Sequence, residues 1–145
     1  MHTFLLSESS WIGEGKVILG SQPQPIHFYT RWVIGPLVDG TVTCEQRVEM
    51  EKGIGTVNNQ IVLSNITPHA FEITLTSDQL QRVQGHGLID PKTVAWEFRG
   101  LPDFEGFEVY ELQENGDYLF HAEYITMEQV DTVIDGRIWR KSSRV

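Results

Sequence analysis

The chain has 145 residues, 40% of them hydrophobic, and 11 Lys+Arg against 20 Asp+Glu, for a formal net charge of −9. One domain over residues 1–145 is expected, long enough to bury a proper core. That charge repels nucleic-acid phosphates and anionic membrane surfaces, and no basic run offsets it, so neither is an expected partner.

The first residues, Met1 to Glu8, lack a basic start and a long apolar run, so they do not read as a signal peptide. No segment approaches the roughly 20 apolar residues of a membrane-spanning helix. The lone Cys44 has no internal disulfide partner, which fits a reducing compartment, and a cytoplasmic location is the expectation. Its neighbours place it on the apolar face of a strand, as a buried and inert thiol.

The first structured stretch, Ser10-Trp11-Ile12-Gly13-Glu14-Gly15-Lys16-Val17, sets two glycines on one face of a strand. Glycines there let another backbone or a large ring approach closely, so Gly13 is expected to carry a packing role. Turn signals then recur about every 8–12 residues, the spacing of an all-β sandwich or barrel. Strands are expected over 11–20, 26–35, 40–51, 57–65, 69–77, 81–89, 92–99, 105–113, 117–125 and 136–142. The prolines of Gln22-Pro23-Gln24-Pro25 lack a donor for any ladder. Asp39-Gly40 and Asn115-Gly116 are tight hairpin signals, and Asp90-Pro91-Lys92 starts another turn.

Strand 40–51 shows the clearest alternation. Val42, Cys44, Val48 and Met50 fall on one side, and Thr41, Thr43, Glu45, Arg47, Glu49 and Glu51 on the other. One stretch departs from this pattern. Thr126 and Gln129 have capping-box spacing, and Met127, Val130, Val133 and Ile134 share a helical face, so a short helix over 126–134 is expected to end at Asp135-Gly136. Many short sequential hairpins favour closure, which removes exposed sheet edges. The expectation is an all-β, single up-and-down antiparallel barrel of about ten strands, with one short helix before the last strand.

Trp11-Ile12-Gly13-Glu14-Gly15 resembles the Trp-x-Gly-x-Gly opening of nitrobindin-like barrels. It is more loosely similar to the Gly-x-Trp opening of lipocalins, with Ser9 where those carry glycine. The ending, with Arg137-x-Trp139-Arg140, is similar to that of the calycin superfamily. That resemblance implies a basic residue, Arg137 or Arg140, packed over Trp11. Haem-binding nitrobindins supply a histidine near the start of the last strand, whereas Thr132 to Arg137 contains none and His121 lies one element too early. No cofactor is therefore expected, with haem kept as an alternative.

Of the side chains that could carry chemistry, His121 and Glu123 lie two apart on a strand and share a face. They form either polar contacts in a cavity or an outward, solvated pair beside Leu119 and Ile125. No two histidines show a chelate spacing, so no metal site is expected. His86 sits between Gly85 and Gly87, where close backbone packing explains the glycines. Large rings on strands either fill a small barrel or line its cavity, which makes Trp32, Trp96, Phe98, Tyr110 and Trp139 candidate walls. Arg137, in Arg137-Ile138-Trp139, resembles the Arg-x-Tyr carboxylate clamp of fatty-acid-binding barrels and is the candidate anchor for an acidic head.

Glu97 and Arg99 share one strand face, and Glu108 and Tyr110 share another. Trp96 and Phe98 make their own face the inward one, leaving Glu97 and Arg99 as a surface cross-pair. The functional expectation is a barrel that binds a small apolar or amphipathic, possibly acidic, molecule without catalysis. The ligand-binding residues would be Trp32, Trp96, Phe98, Tyr110, His121, Glu123, Arg137 and Trp139, and no catalytic residue is assigned. The alternatives are a lyase or isomerase using His121 or a buried glutamate as base, and a solid barrel whose acidic surface meets a protein partner.

Overall fold

The computed structural model describes residues 2–20, 24–78, 82–101, 104–126 and 131–141. Ten antiparallel strands form one closed barrel, each paired with its neighbours in the chain and the last closing on the first. They are β1 (Ser9–Leu19), β2 (Ile26–Val38), β3 (Thr41–Met50), β4 (Gly55–Ser64), β5 (Ala70–Ser77), β6 (Val83–Ile89), β7 (Thr93–Phe98), β8 (Phe104–Leu112), β9 (Tyr118–Thr126) and β10 (Asp131–Arg140). A single 3-10 turn, Glu51–Gly53, joins β3 to β4. No helix among the described residues is long and apolar enough to cross a membrane.

Turn chemistry sets the hairpins as the sequence indicates. Asp39 and Gly40 both take positive φ, 53° and 76°, as a two-residue primed turn demands. At the β8–β9 turn the Asn115 side-chain oxygen accepts from the Asp117 N–H at 2.9 Å, while Gly116 takes φ 91°. Between β6 and β7, the Asp90 carboxylate accepts from the Lys92 N–H at 3.0 Å.

The helix expected over 126–134 is a correction. Thr126 ends β9, Asp131–Ile134 belong to β10, and residues 127–130 lie outside the described residues. Thr132, Val133 and Ile134 are consecutive β-branched residues, which lose χ1 freedom in a helix and fit a pleated surface. Asp135-Gly136, read as the end of a helix, is instead mid-strand, with Gly15 directly across from Gly136.

This β1–β10 seam explains the opening motif. A Cβ on Gly13 would stand 2.5 Å from the Arg137 carbonyl oxygen and 2.6 Å from the Ile138 Cγ2. On Gly15 it would meet the Asp135 carbonyl oxygen and, at 2.8 Å, the Phe28 ring; on Gly136 it would meet the Glu14 carbonyl oxygen and the Phe120 ring, both at 2.6 Å. Glycine removes the Cβ that would hold these strands apart and makes room for two inward rings.

One end of the barrel is plugged by residues before β1. Phe4 and Leu5 are fully buried, and Phe4 packs against Tyr110 at 4.8 Å, Trp32 at 5.1 Å, and Trp11 and Tyr118 at 5.5 Å each between ring centroids. His2 fastens the plug. Its Nε2 donates to the Asp90 carbonyl oxygen at 2.5 Å, and its Nδ1 lies in hydrogen-bond contact with the Tyr118 hydroxyl at 2.8 Å. Trp11 points into this floor and its indole N–H donates to Ser9 Oγ at 3.0 Å. Arg140 is its direct cross-strand partner but lies exposed at the strand end, while Arg137 stands elsewhere.

Candidate functional site

The strands' alternation points one row of each inward, and the rows differ between the two ends of the barrel. At the plugged end they interlock as an aromatic floor. At the other end they leave a cavity of about 390 Å³, within the range of small-molecule pockets. Its walls are mostly apolar: Leu19, Phe28 and Met50 from β1–β3, Ile61, Ile73 and Leu75 from β4 and β5, and Phe98, Phe104 and Phe120 from β7–β9.

Two polar clusters interrupt this lining, beside the hydroxyls of Ser77 and Thr132. On β8, the inward row runs Phe104, Gly106, Glu108, Tyr110, so a carboxyl group enters the cavity. Glu108 Oε1 accepts from the Tyr110 hydroxyl at 2.8 Å, and Oε2 accepts from the Tyr124 hydroxyl of β9. The Trp96 indole in turn hydrogen-bonds Tyr124. Stacking holds the donors in place: Tyr110 lies between Trp96 at 5.0 Å and Phe120 at 5.1 Å, and Tyr124 stacks on Phe104 at 5.0 Å. Across the cavity, Asn59 donates to Gln46 at 2.8 Å and Gln46 donates to Thr30 at 3.2 Å.

Removal from water dominates the electrostatics. Burial pushes the Glu108 carboxyl above the usual carboxylate range, against the opposing effect of the two tyrosine hydrogen bonds. Burial, then the neighbouring Glu108 charge, pushes Tyr110 and Tyr124 well above the usual phenol range. The same cause lifts the Cys44 thiol from 9.0 to about 12, so it is inert as the sequence suggests.

A stability consequence follows for Glu108. Its raised pKa means the folded state holds its proton longer than the unfolded chain. Its contribution is therefore fully present below the unfolded value of 4.5 and is lost as pH rises through the folded pKa. Glu108→Gln, which stays neutral, should melt higher than the natural protein at pH 8, with the gap closing toward pH 4. Melting curves across that range by circular dichroism check it.

The eight residues expected to bind ligand divide by face. Trp96, Phe98 and Tyr110 line the cavity, and Trp32 lies in the floor beneath, its ring 6.5 Å from Trp96 and its indole nitrogen buried without a partner. The other four point outward. His121 and Glu123 form the solvated pair, with His121 between Glu123 at 2.7 Å and Asp135 at 2.6 Å. Hydrogen bonds to Glu123 and then Asp135 raise the His121 pKa. Arg137 is exposed, pairs with Asp117 at 3.6 Å and lies 4.7 Å over the Trp139 ring.

These four are corrected as cavity residues. β10 sends Ile134, Gly136 and Ile138 inward, so Arg137 and Trp139, one residue out of phase, face solvent. On β9, Phe120, Ala122 and Tyr124 are the inward set. Glu97 and Arg99 form the expected surface pair at 2.9 Å. Gly87 faces the Phe71 ring and Gly85 the Glu97 carbonyl, the close packing expected around exposed His86. No histidine lines the cavity: His2 is in the plug, and His27, His69, His86 and His121 are on outer surfaces, so a histidine-held haem lacks its ligand on this wall.

The sequence singled out Tyr110 but not Tyr124, Gln46 or Asn59. The signal for Glu108 was its two-residue spacing from Tyr110, which places both on whichever face is inward.

No protein-family model matches the chain, and no curated protein matches its sequence. Solved structures do. Rv2717c from M. tuberculosis matches with a TM-score of 0.69 and 14% identity over 95% of this chain and 93% of that one. The S-type phycobiliprotein lyase CPES from Guillardia theta matches with a TM-score of 0.72 and 10% identity over 95% of this chain and 90% of that one. The likeness is one of fold. The ten-stranded antiparallel barrel is shared, consistent with a calycin-like architecture.

Proposed function

We propose that this barrel binds a small amphipathic molecule in the cavity opposite the plug. The observation that carries this reading is the cavity itself: about 390 Å³ of space walled by apolar side chains, with polar groups gathered at Glu108 and at Gln46–Asn59. A filled interior would instead favour a purely structural or surface-binding role. An apolar body is held by burial and oriented by the few polar groups. An acidic head has no anchor inside, since Arg137 faces solvent.

N-phenyl-1-naphthylamine, which fluoresces in apolar surroundings, serves as the probe. It should brighten with the natural protein and be displaced by competing apolar ligands. Leu75→Trp, which fills cavity space, should weaken binding about tenfold or more, while the outward Leu119→Ser should not. Absent fluorescence, or an equal signal from the filled variant, would refute the reading.

Glu108 supports a second reading, proton transfer on the bound molecule. A buried carboxyl with a raised pKa between two tyrosines is a candidate general acid or base. Barrels of this shape serve enzymes as well, one structural neighbour being a phycobiliprotein lyase. Binding requires only the cavity, whereas catalysis requires a reactive group on the ligand opposite Glu108. Chromatography of a bound molecule before and after incubation separates the two.

A further inference from the structure

The binding reading leaves the chemical class of the ligand open, and the charges around the cavity narrow it. Among the described residues that line the cavity, Glu108 is the one acid, and none is a lysine, arginine or histidine. Every described lysine and arginine, from Lys16 on β1 to Lys141 after β10, is exposed. Among the described residues, the Glu108 carboxyl inside the barrel therefore has no cationic partner.

Hydrogen bonding reaches the same point. An ionised carboxylate offers about four acceptor positions. The Tyr110 and Tyr124 hydroxyls occupy one on each Glu108 oxygen, and this leaves acceptor capacity on a group that lines the cavity. Both tyrosines donate toward the carboxyl, an arrangement that serves the ionised form. Around it stand Trp96, Phe104 and Phe120, whose ring faces attract cations.

We propose, resting on the binding function above, that the cavity selects an organic cation: a protonated amine on an apolar, ring-bearing body, its ammonium donating to Glu108. The amine supplies the missing counter-charge and the missing donors together. A carboxylate ligand would place like charges side by side in a dry cavity. A neutral ligand of the same shape would leave the carboxyl unpaired. The raised Glu108 pKa agrees with this, because the empty site lacks the charge that would hold the carboxylate. A net charge of −9 also favours the approach of cations.

The test is isothermal titration of the natural protein at pH 7.5 with three matched probes: 2-(1-naphthyl)ethylamine, 2-(1-naphthyl)ethanol and 1-naphthylacetate. The amine should bind about tenfold or more tighter than the alcohol, as expected for a charge-assisted hydrogen bond, with the acetate weakest. Glu108→Gln should erase the gap between amine and alcohol. Amine and alcohol binding equally, or the acetate binding tightest, would overturn the cation proposal and leave the binding function standing. Binding of none of the three would overturn both. The ranking on the natural protein decides the matter even if the variant does not fold.

Discussion

Gly15→Val should destabilise the barrel by about 3 kcal/mol or more, lowering the melting temperature by roughly 10 °C. The reason is geometric. A Cβ at Gly15 meets the Asp135 carbonyl oxygen, which is main chain held in the β10 ladder, and the Gly136 Cα at 2.9 Å. Neither is the flexible end of a side chain. The Phe28 ring at 2.8 Å would also have to leave the cavity wall. β1 would separate from β10, and that pair is the closure of the barrel. Gly40→Ala is the control, since a Cβ there meets nothing within 4 Å and only the positive φ of 76° opposes it. Its cost should be about 1 kcal/mol. Thermal melts of both variants, with an unchanged melting temperature for Gly15→Val, would remove the seam from the account.

Phe4→Ala is the second large effect, at about 3–5 kcal/mol, the usual cost of truncating a buried phenylalanine. Phe4 lies outside every strand yet touches four rings of the floor. Removing it leaves a hole bounded by Trp11, Trp32, Tyr110 and Tyr118. Because Tyr110 also donates to Glu108, the loss should reach the cavity and weaken N-phenyl-1-naphthylamine binding too. Chemical denaturation together with a probe titration checks both parts. A variant as stable as the natural protein would show that the segment before β1 is not the floor.

These two residues mark what the sequence could reveal and what it could not. Gly13 and Gly15 were legible because strand glycines two apart admit few explanations, and the seam lies where the motif indicates. The ten strands were legible because the turns carry their own chemistry, as at Asp39-Gly40. Phe4 was not legible. A short apolar run with no strand partner carries no period, and its burial depends on rings supplied by β1, β2, β8 and β9. The Met127-to-Ile134 spacing fits a helix, but long-range pairing with β1 decides the state of Asp131–Ile134, and pairing is invisible in a local window.

The site divided along the same line. Trp96, Phe98 and Tyr110 were legible as inward walls because large rings in strands of a small barrel face inward unless something opposes them. His121, Glu123 and Arg137 were chosen for chemistry, yet β9 and β10 carry apolar residues on both faces, Leu119 and Ile125 outside against Phe120 and Ala122 inside. Parity along such strands does not reveal the face. Register against β8 and β1 does. Once it is fixed, the His121 imidazole and the Arg137 guanidinium lie on the surface and the Glu108 carboxyl in the interior.

The central claim is that the interior is an open, selective binding cavity. Native mass spectrometry of the freshly purified natural protein, compared with Leu75→Trp, tests it most directly. The account predicts a small-molecule adduct on the natural protein that is lost on denaturation and absent from the filled variant. Bare masses for both, with no thermal shift across a panel of apolar amines, alcohols and acids, would contradict it.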